Sequence, residues 1–257
     1  MLIDTHCHLD DSCLFDRLPV IIGSARLAGI DRLVIPGVGQ DGWGKITSIA
    51  ATDRGIFPAF GLHPMHAGLY HEGVLTDLAN YAKGSVAVGE IGLDYLLTEV
   101  PRDRQLLAFR AQMRLAVEMG LPVLIHCRRA FQDLLRILRE EGAKKVGGIM
   151  HAFSGSVEVA WDCIRLGFAI SVAGPVTYRN AVKPLELVRS IPLEHLVLET
   201  DAPDMTPEPF RGNPNEPAFL VETAKKVAKI KDVGLEELAA ATTGNAERLL
   251  RLERQSI

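Results

Sequence analysis

The segment Leu2-Ile3-Asp4-Thr5-His6-Cys7-His8 begins with apolar residues and ends with two histidines that one residue separates. If it is a β-strand, its side chains alternate between two faces, so both imidazoles project to the same side. A lone histidine is more often a packed core residue, but two at this spacing, directly after Asp4 and Thr5, indicate a metal site. Asp4 shares the facing of His6, and we expect its carboxylate to fix the tautomer of an imidazole.

The same arrangement, an apolar run followed by a potential ligand, recurs along the chain. Most runs are rich in Val, Ile and Leu, which is typical of parallel strands buried on both faces. Amphipathic segments lie between them, the first at residues 14–27, and a last one at residues 235–252 is expected to cover one end of the fold. The predicted strands are residues 2–8, 32–38, 56–63, 86–93, 122–127, 147–153, 168–174 and 196–200.

Strict alternation of strands and helices favours an α/β fold of the TIM (β/α)8 barrel type, with a site at the C-terminal mouth of its strands. The alternative is an open Rossmann-like sheet. That fold would place glycines after the first strand to hold a pyrophosphate, where this chain has Thr5-His6-Cys7-His8. The length of 257 residues fits one barrel domain, residues 1–257, since such barrels have about 250 residues.

The composition predicts a soluble cytoplasmic protein without a membrane segment. The hydrophobic share is 47%, yet no apolar run approaches the roughly 18 residues that span a bilayer, and no signal-peptide pattern opens the chain. Four cysteines without a C-x-x-C pair suit packed thiols in a reducing compartment better than disulfides. The net charge of −4 and the short, separated basic clusters argue against a surface that binds duplex nucleic acid.

Three more potential ligands lie at or near the ends of apolar runs in the middle of the chain. Glu90 follows Gly89 and precedes Ile91-Gly92, and a buried glutamate requires a cation, a proton or a hydrogen-bonded partner. His126 and His151 close consecutive runs at corresponding places, which chance does not readily explain. Imidazole and carboxylate ligands together suit zinc, manganese, iron or magnesium.

Two carboxylates and a further histidine complete the candidate site. Glu199 and Asp201 share one facing at the end of the eighth predicted strand. Asp201 is nearer the mouth and is the candidate metal ligand and general base, whereas Glu199 is expected to support a ligand from behind. His63 ends the third predicted strand at the same rim. It could contact substrate or donate a proton, and a packing role is equally open.

Six short motifs occur in the order of one known family and span nearly the whole chain. The chain resembles the TatD family of metal-dependent hydrolases, whose best-known members are deoxyribonucleases, and it looks most like the YjjV-type branch. The motifs are Asp4-Thr5-His6-Cys7-His8, Gly61-Leu62-His63-Pro64, Val88-Gly89-Glu90-Ile91-Gly92-Leu93-Asp94, Ile125-His126-Cys127-Arg128, His151-Ala152-Phe153-Ser154-Gly155 and Leu198-Glu199-Thr200-Asp201-Ala202-Pro203.

This resemblance implies a TIM barrel with one or two divalent metal cations, and we expect two, as zinc, manganese or magnesium. The ligands that it implies are His6, His8 and Asp201 for the first cation, His126 and His151 for the second, and Glu90 between them. Two departures concern contacts with DNA. Tyr95-Leu96-Leu97 stands where nuclease members commonly have a basic residue, and Asn213 and Pro214 stand at two further basic positions.

The expected reaction is metal-assisted hydrolysis of a phosphodiester, with Asp201, Glu90 and His63 as catalytic residues. Small phosphodiesters or single-stranded nucleic acid are the expected substrates, and a monomer is expected. One alternative is hydrolysis of an amide, ester or lactone, as in amidohydrolase-type barrels, many of which have a carbamylated lysine where this chain has Glu90. Another is a barrel with a structural metal, but such zinc sites are usually closed and cysteine-rich.

Overall fold

A computed structural model describes residues 1–252 of the chain. Its eight strands are parallel and hydrogen-bonded to one another in sequence order. The amide of Thr5 donates to the carbonyl of Leu198 at 3.1 Å, which brings the two ends of the sheet together. The predicted TIM barrel is therefore confirmed. The strands are β1 Leu2–Asp4, β2 Ile30–Pro36, β3 Ile56–Phe60, β4 Ala87–Asp94, β5 Val123–Arg128, β6 Gly148–Met150, β7 Phe168–Val172 and β8 Leu196–Leu198.

The α-helices of the described residues alternate with the strands, with one departure from the prediction. The expected helix at residues 14–27 is divided in two, because the chain turns at Asp16 and Arg17. Pro19 then lies in the first turn of the second helix, where no intrahelical hydrogen bond needs its N–H. The helices are α1 Ser12–Phe15, α2 Leu18–Leu27, α3 Trp43–Ala50, α4 Glu72–Ala82, α5 Arg102–Met119, α6 Phe131–Glu140, α7 Val157–Arg165, α8 Lys183–Ser190, α9 Leu220–Lys231 and α10 Leu235–Leu250.

Several strands end before the potential ligands that follow them. β1 stops at Asp4, although residues 2–8 are predicted as strand, and β6 and β8 likewise stop at Met150 and Leu198. The chain stays hydrogen-bonded beyond β1, since the amide of His8 donates to the carbonyl of Ala202 at 2.8 Å. These potential ligands therefore lie just past the ends of their strands, at the carboxyl mouth of the barrel.

One apolar residue from every strand fills the barrel below that mouth, and the layer packs against α10. An ion pair fastens this helix to β2, with Nη2 of Arg32 at 2.7 Å from Oε1 of Glu247. The expectation that the last helix covers one end of the barrel is confirmed. The layer consists of Ile3, Val34, Ala59, Ala87, Leu124, Ile149, Ala169 and Val197, with Ala246, Leu250 and Leu252 from the C-terminal region.

A second apolar layer lies between the strands and the surrounding helices, and three of the four cysteines belong to it. Cys7 and Cys127 pack there, as expected from their alternation with ligand-bearing neighbours. Burial raises the pKa of the Cys163 thiol to about 12, so this thiol stays protonated at neutral pH. The cysteines are all free thiols. Within residues 1–252, no helix combines the length and the apolar character needed to cross a membrane.

Candidate metal centre

The six predicted ligands come together at the carboxyl mouth of the barrel, although they are spread over nearly the whole sequence. Five of them line a cavity of about 430 Å³. The sixth, His6, is fully buried. His63, Arg128 and Asp204 contribute further polar groups to the wall of this cavity. The fold therefore gathers imidazoles and carboxylates into one open site.

Glu90 lies at the centre of this site, and its two carboxylate oxygens face different histidines. Oε2 lies 3.2 Å from Nε2 of His6 and 4.0 Å from Nε2 of His8. Oε1 lies 2.9 Å from Nδ1 of His126 and 3.8 Å from Nε2 of His151. The two oxygens of one carboxylate thus face different imidazoles, and each oxygen can serve as a ligand to a different cation.

Close packing of β4 against its neighbours places Glu90 there. Gly92 has a φ of 149°, and a Cβ at this position would lie 1.9 Å from the carbonyl oxygen of His126. A Cβ at Gly61, which follows β3, would lie 2.7 Å from the carbonyl oxygen of Glu90. Only glycine lets the backbones approach this closely. The glycines of two sequence motifs therefore hold His63, Glu90 and His126 together.

Asp201 closes the site from the side of β8. Its Oδ1 lies 3.5 Å from Nε2 of His151, 3.6 Å from Nε2 of His8 and 3.8 Å from Nε2 of His6. Its backbone is in the left-handed region at a φ of 58°, which aspartate tolerates better than most residues. Its amide donates to the carbonyl of His6 at 2.9 Å. The Asp201 carboxylate therefore faces three of the imidazoles at once.

The imidazoles keep both of these carboxylates ionised. Burial acts to raise the pKa of Glu90, but the neighbouring imidazoles, chiefly the charged His151, outweigh it and hold this pKa well below its usual range. Burial also acts to raise the pKa of Asp201, and His151 together with His8 holds it below the usual value. Both side chains are therefore anionic at neutral pH, which is the form that binds a cation.

Glu199 supports His151 from behind. Its Oε1 lies 3.1 Å from Nδ1 of His151 and accepts a hydrogen bond from the amide of Ala152 at 2.6 Å. Nε2 of His151 is consequently directed at Glu90 and Asp201. Burial acts to lower the pKa of His151, but Glu199 and the other two carboxylates outweigh it and raise this pKa to about 10. This contact is the one expected of Glu199 from the sequence.

The expectation for Asp4 is wrong. Instead of contacting an imidazole, its carboxylate accepts hydrogen bonds from the amide and the hydroxyl of Thr200 at 2.9 and 2.5 Å. Burial raises the pKa of Asp4 to about 7. Asp4 therefore ties β1 to the segment after β8. Spacing along the strand could not reveal this partner, because it lies 196 residues away in the sequence.

His63 faces the same cavity, with Nε2 at 3.7 Å from Oε1 of Glu90. Its Nδ1 accepts a hydrogen bond from the amide of Met65 at 3.2 Å, so the proton of the neutral ring is on Nε2. Burial lowers the pKa of His63 to about 3, and the ring is therefore a neutral hydrogen-bond donor. Of the roles that the sequence leaves open, contact with substrate fits this tautomer.

Asp94 belongs to the site but was not among the predicted residues. Its Oδ2 lies 3.1 Å from Nε2 of His126 and 3.7 Å from Nη1 of Arg128, and its Oδ1 accepts from the amide of Leu96 at 2.9 Å. Because Asp94 holds Nε2 of His126, Nδ1 is directed at Glu90. The sequence could have indicated Asp94, because it lies four residues after Glu90 on β4 and the two side chains therefore project from the same face of the strand.

A divalent cation fits the donor set of this site. Within residues 1–252, neither ring nitrogen of the buried His6 has a hydrogen-bond partner, and burying unpaired polar atoms costs free energy. Burial lowers the pKa of His6, so this side chain offers a neutral nitrogen, the form that binds metal. The described residues whose ligand atoms lie close enough to share one ion are His6 with His8 and Glu90, His6 with His151 and Glu199, and His63 with Glu90 and His126.

We expect Asp94→Asn to weaken metal binding by about 10–100-fold, the usual cost of losing a carboxylate behind a histidine ligand. The neutral amide no longer orients His126 as the carboxylate does. Calorimetric titration of metal-free protein with Mn²⁺ or Zn²⁺ measures the change. Asp103→Asn, which neutralises an exposed aspartate on α5, is the matched control. Equal affinity in the two variants would contradict this role for Asp94.

Comparison with known proteins identifies relatives over the full length of the chain. Residues 3–251 match the family described as TatD related DNase. The chain is 42% identical to the uncharacterized metal-dependent hydrolase YabD of Bacillus subtilis (strain 168), over 98% of this chain and 100% of that protein. It is 34% identical to the uncharacterized metal-dependent hydrolase YcfH of Escherichia coli (strain K12), over 98% of this chain and 96% of that protein.

A solved structure has the same fold. The crystal structure of YjjV, a TatD homolog from Escherichia coli K12, superposes with a TM-score of 0.92 at 30% identity and covers 98% of each chain. The resemblance drawn from the six sequence motifs, with its likeness to YjjV, is thereby confirmed.

Proposed function

We propose that this chain, which belongs to the TatD family of metal-dependent hydrolases, hydrolyses phosphodiester bonds. Its substrates are single-stranded ends of nucleic acids, short oligonucleotides or small phosphodiesters. The observation that carries the proposal is that the two oxygens of Glu90 face different imidazoles. Two cations that share one carboxylate suit the in-line displacement at a phosphodiester.

By distance alone, His6 can share an ion with His8 and Glu90, and His126 can share one with Glu90 and His63. The proposed ligands are those that the resemblance to the family implies. They are His6, His8 and Asp201 for one divalent cation, His126 and His151 for a second, and Glu90 shared between the two. Zinc, manganese and magnesium are candidates for this set of nitrogen and oxygen ligands. A divalent cation held by these residues would supply hydroxide at neutral pH, because such a cation can lower the pKa of water from about 16 to about 7.

The side chains around the cavity position the substrate and move the proton. The carboxylate of Asp201, whose Oδ1 faces three imidazoles, would orient the attacking water and accept its proton. The Nε2–H group of His63 donates a hydrogen bond to a non-bridging oxygen of the phosphodiester. Arg128, exposed on the wall of the cavity, neutralises part of the negative charge on the same group.

The charge and the size of the site favour single strands over duplexes. The protein has a net charge of −4, so it does not attract a polyanion over long distances. The cavity of about 430 Å³ is of the size that holds a small molecule. We therefore expect a single strand to reach the site more readily than a duplex.

A substrate panel tests this proposal. Protein freed of metal by a chelator is reconstituted with Mn²⁺, Mg²⁺ or Zn²⁺. It is then assayed on single-stranded DNA, duplex DNA of the same sequence, RNA, bis(p-nitrophenyl) phosphate, and an ester, an amide and a lactone. We expect turnover of phosphodiesters only with metal, and faster cleavage of single-stranded than of duplex DNA.

Two outcomes of the panel would contradict the proposal. Turnover of the ester, amide or lactone alone would assign the site to an amidohydrolase-type reaction. Phosphodiester cleavage that survives chelation would remove the role of the metal. Asp201→Asn protein, purified and assayed in parallel, controls for a contaminating nuclease, since a contaminant would remain active in that preparation.

A further inference from the structure

A second cavity, which we call the side pocket, adjoins the metal centre. It has a volume of about 250 Å³ and lies between the loop after β6, the end of β7 and α8. Ala152, Ser154 and Met205 line both cavities, so the side pocket is an immediate neighbour of the metal centre. Its lining includes Phe153, Ser171, Val172, Ala173, Val176, Lys183 and Leu187.

The walls of the side pocket are mainly apolar. Phe153 is buried and packs against Phe131 with 5.3 Å between ring centroids, which restrains the orientation of its ring. Val172, Val176 and Leu187 provide aliphatic surface from the end of β7, the following turn and α8. Such a cavity suits a flat apolar group better than a charged one.

Two polar groups distinguish the side pocket from an ordinary packing defect. Ser171 is only 1% exposed, and its hydroxyl has no hydrogen-bond partner in the described part of the chain. A ligand with a polar edge would satisfy this hydroxyl, whereas an entirely apolar ligand would not. Lys183 is exposed at the start of α8 and also lines the pocket, and its ammonium is suited to an anion.

We propose that the side pocket binds the base of the nucleotide whose phosphodiester lies at the metal centre, with Lys183 facing a neighbouring phosphate. This inference rests on the proposed phosphodiesterase function and names its substrate class as nucleotides. The faces of a base pack against apolar and aromatic walls whatever the base is, and its edge hydrogen-bonds to Ser171. The pocket therefore favours substrates that carry a base over those that do not. Because a single hydroxyl can hydrogen-bond to any base, it does not discriminate between base sequences.

Two chromogenic substrates with the same leaving group test the inference. They are the p-nitrophenyl ester of thymidine 5′-monophosphate and p-nitrophenyl methyl phosphate, which has no base. We expect the wild-type protein, loaded with Mn²⁺, to prefer the thymidine ester in kcat/KM by about 10–100-fold, the range for one stacked base. Equal kcat/KM for the two esters would overturn the inference.

Variants assign the preference to the side pocket. Ala173→Leu adds bulk to a buried residue of its lining and is expected to reduce the preference to nearly one. Ser171→Ala, which changes the volume little, is expected to reduce it in part. Ala240→Leu makes the same substitution at an exposed position on α10 and is expected to keep the wild-type ratio. A wild-type ratio in both pocket variants would show that the base binds elsewhere.

Binding of thymidine itself separates this inference from the proposed function. Calorimetric titration of metal-loaded protein is expected to show binding to the wild type and to Ala240→Leu, and much weaker binding to Ala173→Leu. A thermal transition like that of the wild type verifies that the pocket variant is folded. Thymidine binding without cleavage of either ester would support the side pocket and contradict the phosphodiesterase. Cleavage of both esters without thymidine binding would support the phosphodiesterase and contradict base binding in the side pocket.

Discussion

Replacing Glu90 by glutamine is expected to remove metal from both halves of the centre and to abolish nearly all turnover. Glutamine is uncharged and has a single side-chain oxygen. It can therefore bind a cation next to His6 or next to His126, but not both as Glu90 can. Loss of a residue that only hydrogen-bonds to a metal ligand lowers metal affinity by roughly 10–100-fold. We expect a larger loss of affinity here, because Glu90 is itself a proposed ligand. A loss of several kcal/mol of transition-state stabilisation lowers the rate by about 1,000-fold or more.

Elemental analysis of Glu90→Gln and its rate on bis(p-nitrophenyl) phosphate at saturating Mn²⁺ measure the two effects separately. Glu118→Gln makes the same change at an exposed position on α5 and is expected to keep wild-type metal content and rate. Wild-type occupancy of the centre in Glu90→Gln would rule out a shared carboxylate. The proposed mechanism would then need another group between the two sets of histidines.

Asp201→Asn is expected to lower kcat by about 100–10,000-fold, the usual contribution of a general base. The asparagine amide cannot take a proton from water. Because it carries no charge, it also interacts more weakly than aspartate with His6, His8 and His151. The backbone hydrogen bond from residue 201 to the carbonyl of His6 does not depend on the side chain. We therefore expect the variant to fold.

Thermal unfolding followed by circular dichroism distinguishes loss of catalysis from loss of structure in Asp201→Asn. A single cooperative transition combined with the low kcat supports the assigned role. Asp103→Asn again serves as the control for loss of one negative charge. If Asp201→Asn turned over substrate at close to the wild-type rate, the base would have to be a different residue.

The barrel could be predicted from the sequence because strand and helix periodicities are local properties. Eight apolar runs alternate with amphipathic segments, and each of the eight observed strands overlaps its predicted range. The boundaries were less accurate where a strand ends. The run of residues 2–8 bends at Thr5, directly after β1, and composition does not mark the point where the strand stops.

The residues that meet at the candidate site could also be predicted, since parallel strands of a barrel place their carboxyl ends at one mouth. His6, Glu90, His126, His151 and Asp201 lie at or near such ends in the sequence, and the structure brings them together. The division of the first helix at Arg17 was missed, because its apolar spacing continues across the turn before Pro19.

Only the tertiary structure decided which of these groups touch one another. It shows that Asp94 holds His126, that Asp4 holds Thr200 and not an imidazole, and that the two oxygens of Glu90 face different histidines. It also places the side pocket beside the metal centre. The sequence by itself determined the fold and the kinds of side chain at the candidate site, because periodicity and residue chemistry are local. Contacts between distant side chains depend on strand register and on closure of the barrel, and these arise only when the whole chain packs.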